Sequence, residues 1–159
     1  MAGLNQVQVS LEASKIQASL ELVQAAQASL DAANLIIQKG EVTASLKEYD
    51  RAISMNPNLS GAYFYRGNAL AVQGRYEEAI KDYYKAIDLQ LDFPALYRNL
   101  GKSLEQSGHR EEAIKMYIKS LAMQPEQKDL YAILYFNIKI ELEKNGAAYP
   151  SMLSLYAEY

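Results

Sequence analysis

The chain has 159 residues and contains no cysteine. This absence excludes disulfides, thiolate metal sites, iron–sulfur clusters and cysteine nucleophiles. The single histidine, His109, excludes a site built from several histidines of one chain. No stretch approaches ~18 uninterrupted apolar residues, so the sequence predicts no membrane span. We therefore expect neither a metal nor a cofactor.

An excess of positive charge is also lacking. Lys and Arg number 16 against 19 Asp and Glu, which gives a net charge of −3 and a pI of about 5.2. Because nucleic-acid phosphates are bound by basic surfaces, we expect no nucleic-acid partner. Residues 1–14 have no basic segment before an apolar core, so we expect no secretory signal and a cytoplasmic location. Half of the residues are apolar, which is typical of a folded domain.

An internal repeat with a period of 34 residues dominates the chain. Three windows, 26–59, 60–93 and 94–127, superimpose at this offset. They share a glycine, a small residue and a tyrosine at equivalent positions: Gly40, Gly74 and Gly108; Ser45, Ala79 and Ala113; Tyr49, Tyr83 and Tyr117. We divide the chain into an N-terminal extension (1–25), three repeat units and a C-terminal segment (128–159).

Each unit is expected to form two helices. In the second unit the first helix ends at Gly74, a residue that commonly terminates helices. Apolar residues then recur at spacings of three and four over residues 76–87, which predicts a second amphipathic helix. Gly67 and Gly101 are expected to remove side chains where the two helices of a unit cross.

Two of the units carry a recognisable phrase. The second reads AYFYRGNAL at 62–70 and GRYEEAI at 74–80, and the third reads ALYRNLG at 95–101 and GHREEAI at 108–114. These phrases resemble the tetratricopeptide repeat (TPR). The first unit departs from it in its front half, where Ser29, Ala32 and Ala33 replace an aromatic residue, a leucine and a glycine.

The resemblance implies an all-α fold, a TPR-type α-solenoid of antiparallel helix pairs. We expect an additional N-terminal helix and C-terminal capping helices around the three units. The resemblance also implies a non-catalytic scaffold that binds a protein or peptide in its concave groove. The repeat motif describes packing, so the ligand is determined by the residues of the groove.

The repeat register assigns groove positions to the first helix of each unit. Asparagine side chains there could bind the backbone of an extended peptide, and Arg98 with Lys102 could attract an acidic group. The alternative is that these side chains form a solvated helix face. The candidate groove contacts are Asn34, Phe64, Asn68, Arg98, Asn99 and Lys102.

One specific ligand class can be tested against the sequence. Some TPR co-chaperones hold a C-terminal carboxylate with two asparagines and three cationic side chains. Asn68 and Asn99 match the two asparagines, but the cationic positions fall on Phe64, Asp129 and Ile133. Without those cations the carboxylate would be desolvated at a net cost, so we reject this clamp.

The N-terminal extension carries a second candidate surface. Residues 5–39 contain neither proline nor glycine, and apolar residues recur every seven positions, as in a coiled-coil seam. Val9, Ile16 and Leu20 belong to this seam and are candidate contacts with another subunit or partner. The alternative is a break near Ala25, with the first part folding back as an N-terminal cap.

The C-terminal segment is unusually apolar. Residues 130–140 are apolar on nearly all sides, and four of them are candidate subunit or partner contacts: Leu130, Ile133, Phe136 and Ile140. Tyr131, Leu134 and Ile138 are expected to pack inward. The exposed face would be covered by a short tail helix from Pro150 with Met152, Leu155, Tyr156 and Tyr159, or by another chain.

No pattern in the sequence assembles catalytic side chains. His109 is interpreted as a turn residue, and the pairs at 77–78 and 111–112 are glutamates in the first turn of a helix, where they oppose the helix dipole. We predict that the chain is not an enzyme. The leading hypothesis is a TPR scaffold that mediates protein–protein interaction. The alternative is a structural protein that self-assembles into homo-oligomers or filaments through its two ends.

Overall fold

The structure, a computed structural model, describes residues 2–144 and the side chains of residues 8–144. This part of the chain is all-α, as predicted, and none of its helices is long and apolar enough to cross a membrane. The short tail helix predicted from Pro150 lies outside the described residues. The helices are α1 Ala2–Gln38, α2 Val42–Met55, α3 Ser60–Val72, α4 Tyr76–Asp88, α5 Pro94–Gln106, α6 Arg110–Met123 and α7 Lys128–Lys144.

The helices pack in sequence order as a solenoid. Helices α1 and α2, α3 and α4, and α5 and α6 form pairs, and each pair contacts the next through α2 with α3, α4 with α5 and α6 with α7. The turns inside the pairs contain Gly40, Gly74 and Gly108, with φ angles of 81°, 76° and 86°. This left-handed backbone costs glycine least, which explains the repeated glycine at the end of each first helix.

The close crossing of paired helices depends on two glycines. A Cβ atom on Gly67 would lie 2.8 Å from Tyr83 Cε1, and one on Gly101 would lie 2.6 Å from Tyr117 Cε1. The two tyrosines are each 1% exposed. The predicted steric role of both glycines is therefore confirmed.

Helix α1 runs without interruption through residue 25. At 1.5 Å per residue its 37 residues extend about 55 Å, well beyond its partner α2. Residues 8–25 are all exposed, and Ala26 is the first buried residue. The alternative of a break near Ala25 with a folded-back cap is therefore wrong, because no residue of 8–25 is buried against the solenoid.

Helix α7 faces the solenoid through a wider stripe than the predicted one. Tyr131 and Leu134 are partly buried and pack against the core, as predicted, and Ile138 is partly buried. Leu130, which is fully buried, and Asn137, which is 1% exposed, belong to the same inward face. The expectation that Leu130 needs cover is therefore wrong. The inward face contains a polar residue, which hides its apolar pattern in the sequence. That residue, Asn137, is hydrogen-bonded within the chain. Its Oδ1 accepts a hydrogen bond from Arg110 Nε at 3.1 Å, and its Nδ2 donates one to the Ile133 carbonyl at 2.9 Å.

Candidate functional site

An open groove of about 750 Å³ lies between α5 and α7. One wall is polar and comes from α5, and the opposite wall is largely apolar and comes from α7. Tyr117 of α6 lines the groove between the two walls. The lining residues are Ala95, Arg98, Asn99, Lys102, Glu105, Gln106, Tyr117, Leu130, Ala132, Ile133 and Phe136.

The two cations of the polar wall differ in their partners. Arg98 forms an ion pair with Asp129, which links α5 to α7 across the groove. Both side chains of this pair are substantially exposed, so the pair contributes little to stability. Lys102 is exposed and forms no ion pair with any side chain of residues 8–144. Its ammonium group is therefore available to a ligand.

The carboxylate of Glu105 is held in place by the core. Tyr117 Oη donates a hydrogen bond to Glu105 Oε2 at 2.8 Å. Burial, reinforced by the neighbouring Glu105 carboxylate, raises the pKa of Tyr117. The tyrosine therefore keeps its proton at neutral pH and remains a donor. Glu105 is thereby oriented at the edge of the polar wall.

The asparagines of the predicted groove contacts are engaged within the chain. Tyr49 Oη donates to Asn34 Oδ1 and Tyr83 Oη donates to Asn68 Oδ1, both at 2.9 Å. Asn99 Nδ2 also donates to Asn68 Oδ1, at 2.8 Å. Asn34 and Asn68 do not line the groove, whereas Asn99 does.

Phe64 lies inside the core. Its side chain is 7% exposed, with ring centroids 4.9 Å from Phe93 and 6.1 Å from Tyr83. The expectation that this ring is open to a ligand is wrong, because Phe93, in the link between α4 and α5, covers it. Among the six predicted groove contacts, the structure brings Arg98, Asn99 and Lys102 together in one groove.

The apolar wall consists of residues that were predicted as an interface of their own. Ile133 is 37% exposed and Phe136 is 58% exposed, and both face the groove lined by Arg98. Leu130 forms the buried base, and Ile140 is half-buried outside the groove. The structure therefore combines two predicted surfaces into one site.

Family models for the repeat match three parts of the chain. A TPR repeat model matches residues 67–108, and two tetratricopeptide repeat models match residues 48–81 and 95–129. Together these matches extend over residues 48–129. This chain belongs to the tetratricopeptide repeat family. No curated protein matches it in sequence.

Solved TPR structures share its fold. The first TPR of Spaghetti (RPAP3), bound to the HSP90 peptide SRMEEVD, is 19% identical with a TM-score of 0.70, over 74% of this chain and 93% of that one. The TPR protein YrrB, described as having an unusual peptide-binding site, is 22% identical with a TM-score of 0.65, over 74% and 59%. The Arabidopsis OM64 TPR domain is 19% identical with a TM-score of 0.69, over 74% and 98%.

One groove feature of this TPR chain was missed although the sequence carries a signal for it. Tyr49 and Tyr83 each bond an asparagine 15 residues earlier. At the equivalent position before Tyr117 stands Lys102, so the hydroxyl of Tyr117 turns to Glu105 instead. Because a lysine stands where the other units have asparagine, Lys102 does not bond the tyrosine of its own unit, and Tyr117 orients the carboxylate of Glu105. These two differences make the third unit chemically distinct.

The described part of this TPR chain has no evident metal site. Within it, no group of three or more His, Cys, Asp or Glu side chains is arranged to hold a metal ion. The histidine lies 3.5 Å from a glutamate, His109 Nε2 to Glu77 Oε1, and both side chains are exposed.

Proposed function

We propose that this chain is a non-catalytic TPR interaction module that binds a segment of a partner protein in the groove between α5 and α7. The preferred segment carries a large apolar side chain close to an acidic one. The observation that carries the proposal is the juxtaposition of Lys102, which pairs with no side chain of residues 8–144, with the exposed side chains of Ile133 and Phe136.

The apolar wall supplies the binding energy in this proposal. Phe136 is 58% exposed although it lies in a concave surface, and covering an aromatic ring of this kind is worth about 1–2 kcal/mol. Ile133 extends the same wall. A leucine, phenylalanine or similar side chain of the ligand would be desolvated against both residues.

The polar wall supplies the selectivity. Lys102 would pair with a ligand carboxylate, and the exposed Arg98–Asp129 pair could exchange partners at little cost. Glu105, fixed by Tyr117, would disfavour a second acidic group at the far end of the wall. A ligand with one acidic position is therefore favoured over a polyacidic one.

The HSP90 peptide of the Spaghetti structure is not the ligand class that we propose. The clamp positions that would need cations are occupied here by Phe64, Asp129 and Ile133. Phe64 is buried, Asp129 is paired with Arg98, and Ile133 is apolar. The proposal therefore concerns an internal segment rather than a C-terminal carboxylate.

The proposal is tested by selecting binders from a random peptide library displayed on phage, using the full-length chain as bait. The expected motif has an acidic residue and a large apolar residue close together in the sequence. They are separated by one or two turns in a helical peptide, or by a few residues in an extended peptide. Peptides of this motif should bind about tenfold or more weakly to Lys102→Glu and to Phe136→Asp. The first change reverses a charge of the polar wall, and the second replaces an aromatic ring of the apolar wall with a carboxylate.

Matched control variants lie on α6 outside the groove. Lys115→Glu changes the same charge at an exposed position, and Ile118→Asp removes an apolar side chain that is 49% exposed. Both controls should bind the selected peptides as the unmodified chain does. Selected peptides without a shared motif, or equal losses in groove and control variants, would contradict the proposal.

Self-assembly into homo-oligomers or filaments is a second candidate function. The observation that favours it is the exposure of apolar side chains at both ends: Val9, Ile16, Leu20, Ile133 and Phe136. A head-to-tail contact between the two ends would close into rings or run on as filaments. Light scattering over a concentration series would then give the fixed mass of a ring of several chains or a mass that keeps rising, whereas a binding module without self-contacts would keep the mass of one chain.

A further inference from the structure

The first part of α1 is a long helix without a partner in the described structure. All of residues 8–25 are exposed, and six of them are large apolar residues between 48% and 69% exposed: Val9, Leu11, Ile16, Leu20, Leu22 and Val23. Most of the stability of a helix in a protein comes from the packing of its apolar face, and this part of α1 has no packed face among the described residues. The sequence therefore carries an apolar surface that the solenoid does not use.

Part of this surface is separate from the face that α1 uses in the solenoid, whereas Leu11 and Leu22 continue that face in line with the buried Ser29. Where α1 packs in the solenoid, Ala26 and Ala33 are fully buried and Leu30 is 5% exposed. At 100° per residue, the same face of the preceding helix carries Gln8, Glu12, Lys15 and Ser19. Val9, Ile16 and Leu20 form a stripe rotated from that face by about 90°.

The stripe has the spacing of a two-helix coiled coil. Val9, Ala13, Ile16, Leu20 and Val23 are separated alternately by four and three residues. This alternation keeps these five side chains on one side of the helix, where they can pack into a partner helix over about two heptads. Leu11 and Leu22 lie on the opposite side of α1 and do not belong to the seam.

The seam is complementary to itself when a second α1 runs antiparallel. With Ala13 opposite Ile16 of the second copy, Val9 lies opposite Leu20 of the second copy, so each of these layers combines a smaller side chain with a larger one, and Val23 lies beyond them. The two-fold axis generates the same contacts twice. A parallel in-register pair would instead place Ala13 against Ala13 and leave a gap in the seam.

The charges of α1 agree with the same antiparallel register. The positions that flank the seam are Glu12 and Ser19 on one side and Ser10 and Gln17 on the other. In an antiparallel pair each side meets the same side of the second copy, so Glu12 lies next to Ser19 of the second copy and Gln17 next to Ser10 of the second copy. No like charges are therefore neighbours across the seam.

We propose that residues 8–25 of α1 bind a second copy of this chain as an antiparallel two-helix coiled coil with Val9 against Leu20 of the second copy. The contact is isologous, so it closes at two chains and does not run on into a filament. It is independent of the groove between α5 and α7, and a dimer of this kind would present two such grooves.

The absence of cysteine in the chain allows a direct test of the register. Full-length V9C and L20C are prepared separately, and the rate of disulfide formation is measured for each alone and for an equimolar mixture. The mixed disulfide should form about tenfold or more faster than either homodisulfide, because the seam raises the effective concentration of the two thiols. L11C mixed with L22C, on the opposite side of α1, serves as the matched control and should show no such acceleration.

Each outcome of this test decides the proposal. Faster V9C homodisulfide formation would indicate a parallel pair and overturn it. Equal rates for the seam and control mixtures would overturn it as well, because the thiols would then meet only by collision. Both variants substitute exposed positions in a helix that lies beyond the solenoid core, so loss of folding is not a confounding result.

Mass in solution provides a second readout. Light scattering of the full-length chain should approach twice the mass of one chain and stop there as the concentration rises. Ile16→Asp should weaken the dimer about a hundredfold, since it places two charges in the seam, whereas Leu22→Asp should leave it unchanged. A mass that keeps rising, or a monomer at every concentration, would overturn the proposal.

Discussion

Replacing Gly101 with alanine should destabilise the chain measurably, although alanine is the better helix former. The added Cβ would lie 2.6 Å from Tyr117 Cε1 and 2.7 Å from Cδ1, closer than carbon atoms approach in folded proteins. The tyrosine ring cannot move away freely. It is 1% exposed, and its hydroxyl is held by Glu105 at 2.8 Å. Helices α5 and α6 must therefore separate.

The magnitude follows from three contributions. Overpacking a core of this kind costs about 1–3 kcal/mol. Displacing Tyr117 weakens its hydrogen bond to Glu105, which costs about 1 kcal/mol. Alanine in a helix interior is favoured over glycine by about 1 kcal/mol. The net expectation is a loss of about 2 kcal/mol in the free energy of unfolding.

The assay is urea denaturation followed by circular dichroism of the helices. The midpoint for Gly101→Ala should fall relative to the unmodified chain. Gly61→Ala is the matched control, because its Cβ would meet Leu30 Cδ2 at an ordinary 3.7 Å. The control should be unchanged or stabilised by up to about 1 kcal/mol. Equal midpoints for both variants would refute the reasoning that Gly101 is required by close packing.

Two further predictions concern charge and pH. Arg66→Ala should cost about 2–3 kcal/mol, because it strips the buried Asp82 of two hydrogen bonds at 2.7 Å, and Arg66→Ala with Asp82→Ala should recover part of that loss in a urea titration. Burial raises the pKa of Tyr49 to about 12, whereas an unfolded tyrosine titrates near 10. The stability that Tyr49 contributes is therefore complete below pH 10 and is lost as pH rises through 12, and a Tyr49→Phe variant should lose less stability over this range.

The fold could be predicted from the sequence because its determinants are local and repeated. The 34-residue period aligns Gly67 with Gly101 and Tyr83 with Tyr117, and each glycine meets its own tyrosine. The turn glycines recur with the same period and all adopt positive φ. Steric requirements of this kind leave a mark on residue type, so a sequence pattern can reveal them.

The site was predicted only in part, because side-chain partners depend on contacts between units. Asn68 was expected to face a ligand, yet its oxygen accepts from Tyr83 and from Asn99 of the next unit. Phe64 was expected to be open, yet it is covered by Phe93, which stands where the other units have Leu59 and Gln127. Residue type alone does not distinguish an amide that is already bonded from one that is free.

The position of α7 required the structure for a different reason. A buried polar residue, Asn137, interrupts the apolar stripe that would reveal the inward face. The sequence therefore placed Leu130 on the exposed face with Ile133 and Phe136, and of these three only Leu130 is buried. That Ile133 and Phe136 share one groove with Arg98 and Lys102 depends on how α7 packs against α6, which the repeat pattern does not describe.

The central claim is that the groove between α5 and α7 binds a partner segment, and a fluorescent side chain in the apolar wall tests it most directly. The chain has no tryptophan, so Phe136→Trp introduces a single reporter at an exposed position. Titration with a selected peptide should shift the emission to shorter wavelength in a saturable way, and Lys102→Glu in the same background should abolish the shift. A peptide that binds with the same affinity in both backgrounds, without changing the emission, would contradict the claim.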